Sequence, residues 1–69
     1  MQNSTVETLV QAASRARMAS DFETARSNLD AAIKLSPKDP ALRNLAGNLE
    51  LDAALPAAAA ARFQEALEL

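Results

Sequence analysis

The groups in this 69-residue chain that could do chemistry are carboxylates, two lysines and a scatter of hydroxyls, because Cys, His, Tyr and Trp are all absent. Acid–base catalysis needs such groups to converge on one proton. Glu50 and Asp52 stand two apart, a spacing that turns them to different faces of a helix. Glu65 and Glu68, three apart, do share a face, but on an exposed surface that spacing gives a solvated pair. Gly47 is the single glycine, so no glycine-rich phosphate loop can form. Neither thiolate nor imidazole is available to hold a structural zinc. These types and spacings predict no catalytic residue, no metal and no cofactor in this segment, although a longer parent chain could carry an enzyme domain.

The formal charge of −2 argues against nucleic acid, whose binders present a basic patch or stripe. The one basic cluster, "SRAR" (Ser14 to Arg17) with Arg26, has no aromatic residues beside it for base stacking and is expected to be a solvated face. "AALPAAAAA" (Ala53 to Ala61) is too short to span a bilayer and contains Pro56. Its flanks also lack the Lys/Arg face of a membrane-surface helix. The start, "MQNSTVETLV", has no basic and apolar signal regions. A soluble cytoplasmic protein without nucleic-acid or membrane partners is expected.

The elements that must position these residues are helices. Seventeen alanines against one glycine is a helix-former's composition. A chain this short buries only about 60% of its unfolded surface, so a lone core is marginal without disulfide or metal. Ser4 with Glu7, and Ser20 with Glu23, each have the spacing of a reciprocal capping box and predict helix starts at those serines. Val6, Leu9, Val10, Ala13 and Ala16 form the first apolar stripe; Phe22, Ala25, Leu29, Ala32 and Ile33 form the second. "SPKDP" then ends the second helix at Pro37, with Asp39 placed to cap the next and Pro40 at its first position. Leu42, Leu45, Ala46 and Leu49 make the third stripe. Pro56 opens a fourth helix carrying Ala59, Phe63, Ala66 and Leu67, with Leu55 offering no capping acceptor. Gly47 inside the third helix predicts a close helix–helix contact, and Ala57 to Ala61 are expected to pack against that helix.

Connections this short force antiparallel neighbours, giving an all-α fold of two stacked helical hairpins in one domain, residues 1–69. Sliding the sequence along itself until Ala25 meets Ala59 also brings Ala32 onto Ala66. Large apolar pairs coincide at the same offset, Leu29 with Phe63 and Ile33 with Leu67. That offset, repeated as helix–turn–helix, is the period of the tetratricopeptide repeat. "SDFETARSNLDAAIKLSPKDP" resembles the second helix and exit turn of that repeat, and "NLAGN" (Asn44 to Asn48) resembles its leucine-glycine-asparagine stretch. The resemblance implies an alpha-solenoid fragment of two repeats, 5–37 and 40–69. Places usually aromatic in the family hold Leu9 and Ala16, then Arg43 and Glu50. The glycine usual between paired helices is Ser20, then Ala54. A one-residue shift of register in the third helix would put Leu42, Leu45, Ala46 and Leu49 on the family's contact places.

The resemblance also implies a concave surface that takes a peptide or partner protein, formed here by Val10, Ser14, Arg17, Asn44, Asn48 and Leu51. Family members that grip a C-terminal carboxylate place Lys and Asn where this chain has Val10 and Ser14, so no such clamp is expected. Two functions compete: an association element, self-pairing or docking the N-terminal part of a larger protein, and a free-standing peptide-binding adaptor. The first follows from the second copy. Leu29, Ala32, Ile33 and Leu35 can be covered by the third helix, whereas Phe63, Ala66, Leu67 and Leu69 have no later helix in this chain to cover them. That strip predicts a homodimer, most simply about a two-fold axis, or continuation of the stack in a longer chain.

Overall fold

Asp39 and Pro40 fix the middle of the molecule. The Asp39 carboxylate accepts a hydrogen bond from the Ala41 amide at 3.0 Å, and Pro40 occupies the first helical turn, where its missing N–H costs nothing. The computed structural model describes residues 2–69, and side chains from residue 5 onward. Four helices run α1 (Gln2–Met18), α2 (Phe22–Leu35), α3 (Pro40–Asp52) and α4 (Pro56–Glu68). α1 pairs with α2 and α3 with α4 as antiparallel hairpins, and α2 packs on α3 to join them. The resulting body is a slab of 34 × 30 × 12 Å.

The core sits in the two inner helices. α2 buries Ala25, Leu29 and Ala32; α3 buries Leu42, Ala46, Gly47, Leu49 and Glu50. Among the described residues, the outer helices contribute Ala13 and Ala59 as their buried residues. Val10, Ala16, Phe22, Ile33 and Leu45 close over this seam from its edges. The apolar stripes read from helical period therefore describe the packing, with the exception of Leu67, which is 83% exposed. Leu35, expected under α3, is 41% exposed. Of the alanine run, Ala59 is buried and Ala58 half-buried, while Ala57, Ala60 and Ala61 face solvent.

Two helix starts differ from the expected ones. α1 begins at Gln2, which places Ser4 inside the helix; the Ser4 side chain lies outside the described residues. Ser20 does not cap α2. It takes a left-handed φ of 61°, and the cap is Asp21, whose carboxylate accepts from the Thr24 amide at 3.3 Å. The Ser20 amide donates to the Arg17 carbonyl (2.9 Å) and the Asp21 amide to the Ala16 carbonyl (2.8 Å). This is a Schellman closure, which satisfies two end carbonyls of α1. The same closure recurs at the end of α3. Ala54 has φ 61°, its amide donates to Leu51 at 3.1 Å, and the Leu55 amide donates to Glu50 at 2.7 Å. Asp21→Ala should therefore destabilise the domain by about 1 kcal/mol, while Ser20→Ala leaves its thermal midpoint nearly unchanged. Equal losses for the two variants in thermal melts would contradict this assignment of the cap.

Gly47 makes the expected close contact. A Cβ at Gly47 would lie 2.6 Å from the Phe63 ring, so α4 approaches α3 at a distance that only glycine admits without movement of that ring. Phe63 is consequently half-buried.

Candidate functional site

α1 and α3 stand side by side with α2 beneath them, leaving a shallow, solvent-open hollow. Ala13, Leu29 and Leu49 supply buried surface, Val10 and Leu45 the half-buried walls, and Ser14 and Arg17 the polar edge. The Arg17 guanidinium is ion-paired with Asp52, tying the C-terminal end of α1 to that of α3. The hollow has an apolar floor with polar groups at its edge, and it is a dimple between helices rather than a deep pocket.

Of the six groove residues expected from the sequence, the structure brings Val10, Ser14 and Arg17 together at this hollow. Asn44, Asn48 and Leu51 are exposed on the adjacent stripe of α3 and do not line it; Leu45 and Leu49 take that place. The α3 buried face is also wider than one stripe, since Leu42, Ala46 and Leu49 are buried together with Gly47 and Glu50.

Glu50 is a functional-looking residue whose setting was not expected. It is 1% exposed, with Arg26 of α2 at 3.2 Å and Arg62 of α4 at 3.4 Å. Arg62 also pairs with Asp30 at 2.9 Å, and Arg43 reaches Glu65 at 3.4 Å and the Pro37 carbonyl. A polar network thus engages both Arg43 and Glu50 of α3. The basic residues of the cluster are not simply solvated: Arg17 and Arg26 are both in ion pairs. The Nε atom of Arg26 is buried without a hydrogen-bond partner among the described residues. The sequence signal was present, since Glu50 directly follows buried Leu49 and lies four residues after buried Ala46, where a lone charge needs a partner.

The four residues expected on the association face are graded. Phe63 and Ala66 are half-buried, Leu69 is 52% exposed, and Leu67 projects almost fully. No helix among the described residues is long and apolar enough to cross a membrane. No family model, no curated protein and no solved structure matches this chain.

Proposed function

We propose that the chain is a protein–protein interaction module of two tetratricopeptide-like hairpins, and that its primary role is association through α4. The repeat reading is supported by the two Schellman turns, which stand one repeat period apart at Ser20 and Ala54. Fully buried Ala25 and Ala59 are separated by the same interval. Association rests on one observation. At each of the four equivalent apolar places, the α4 residue is more exposed than its α2 counterpart: Phe63 than Leu29, Ala66 than Ala32, Leu67 than Ile33, Leu69 than Leu35. Each of these α2 side chains thus has a less covered equivalent on α4.

Leu67→Asp tests this with little risk to the fold, because Leu67 makes almost no use of the monomer's interior. Placing a charge in an apolar contact should raise the dissociation constant of a homodimer by at least tenfold, about 1.4 kcal/mol. Sedimentation of the parent chain as a fully helical monomer at micromolar and higher concentrations would refute association as its role. A second reading, a peptide-binding adaptor, is favoured by the hollow at Val10, Ser14 and Arg17. Its ligand would be a peptide with one apolar anchor and no requirement for a free C-terminal carboxylate.

A further inference from the structure

The outer face of α4 has a pattern that specifies how two copies meet. Ala57, Ala60, Gln64 and Leu67 are all exposed and fall at spacings of three, four and three, the seam of a two-helix contact. The seam is small at its N-terminal end and large at its C-terminal end. Parallel pairing would set Leu67 against Leu67 and leave alanine facing alanine across a gap. Antiparallel pairing about a two-fold axis beside residue 62 sets Leu67 on the partner's Ala57 and Gln64 on the partner's Ala60, so each layer joins a large side chain to a small one.

Charge selects the same arrangement. Leu55 gives α4 no side-chain cap, and no acidic residue stands in the first turn, so the positive end of the helix dipole is uncompensated. At the other end there is no basic residue in the last turn, and exposed Glu68 has no ion-pair partner among the described residues. Each end of α4 is unfavourable alone. In an antiparallel pair, the Glu68 carboxylate of one copy sits over the uncapped N-terminus of the other, and symmetry makes this contact twice, once at each end.

Head-to-tail stacking is disfavoured by α1. Where α3 offers Leu42, Leu45 and Leu49 to α2, the equivalent places one repeat earlier on α1 hold Thr8, Gln11 and Arg15, all exposed. A second α4 could not find there the apolar surface that α2 finds on α3. We infer that two copies of this chain associate through α4 as an antiparallel, two-fold pair, with Glu68 of each copy at the N-terminus of the partner's α4. This rests on the reading of α4 as the associating helix; the seam shares Leu67 with the residues that carry that reading, whereas Phe63, Ala66 and Leu69 lie to its side.

The chain has no cysteine, so introduced ones report cleanly. An equimolar mixture of Ala60→Cys and Gln64→Cys chains, oxidised gently, should yield mainly mixed disulfide dimers, faster than either variant alone and faster than a Lys38→Cys control. Self-linked products from each single variant would show a parallel pair and overturn the inference, as would linkage no faster than the control. Glu68→Lys separates an interface role from a local one. Lys at the C-terminus of α4 favours that helix's own dipole, so the dilute monomer should melt no lower. The dimer dissociation constant should nevertheless rise roughly tenfold, since two end contacts change from attraction to repulsion. An unchanged constant overturns the assignment of Glu68. A monomeric parent chain overturns both this arrangement and the association reading, whereas a dimer with the wrong linkage pattern overturns the arrangement alone.

Discussion

Replacing Arg26 and Arg62 together by Met should remove a large share of the domain's stability. Both guanidiniums face Glu50, whose side chain is 1% exposed and cannot turn to water. Without them a carboxylate remains buried with no counter-charge, a loss of about 3–5 kcal/mol. A domain of 69 residues has a total stability of roughly 3–10 kcal/mol, so the loss is a third of the whole or more. The cost is asymmetric. Arg26 and Arg62 are 42% and 22% exposed and can recover solvent when Glu50 is removed, so Glu50→Met should cost less than the double arginine variant. The triple variant, with Met at all three places, should refold and match the parent, because an apolar cluster of similar volume replaces an ion triad at little net cost. Urea titration followed by far-UV circular dichroism measures all of these. A double variant within about 1 kcal/mol of the parent would mean that Glu50 is reached by water.

Substituting glycine at both left-handed turns should have the opposite effect. Ser20 and Ala54 each hold φ at 61°, where a Cβ crowds the following carbonyl and costs roughly 1–2 kcal/mol. Glycine relieves that strain but loses part of the gain through greater freedom in the unfolded chain, roughly 0.4–1 kcal/mol. The net gain for Ser20→Gly with Ala54→Gly is about 1–2 kcal/mol for the pair, or roughly 8 °C in thermal midpoint. Ser20 and Ala54 should contribute about equally, because both hold the same φ. A β-branched residue tests the mechanism, since Ala54→Val should lower the midpoint. A pair of glycines that destabilises would show that these turns are not the source of strain.

Much of this architecture is legible in the sequence because it depends on local spacing. Ala25, Leu29 and Ala32, or Leu42, Ala46 and Leu49, are placed by helical period alone, and Asp39–Pro40 is a cap followed by a first-turn proline. Ser20 misleads because two overlapping patterns compete. Ser20 to Glu23 has the spacing of a capping box, while Asp21 supplies the cap once the backbone at Ser20 turns left-handed to close α1. Local spacing holds no information about that choice. The candidate groove is half legible for a related reason. Val10, Ser14 and Arg17 lie along one stripe of α1, and a stripe is readable. Which stripe of α3 faces them depends on how α3 is rotated, and that is set by contacts distant in sequence, Gly47 with Phe63 and Glu50 with both arginines. Those contacts put Leu45 and Leu49 at the hollow and leave Asn44 and Asn48 outside it.

The slab is only 12 Å thick, and its two hairpins are joined chiefly through α2 on α3. In such a body the surroundings of any residue are settled by its own hairpin and the one beside it. Mutational effects should therefore be local: a change in α1 reaches α4 only by way of an inner helix. The same locality opens an easy evolutionary route. A hairpin duplicated and inserted beside α4 would bring its own contacts and leave every existing neighbourhood of α1 and α2 intact. Size can then change by whole hairpins, without the rebuilding that enlargement of a spherical core demands.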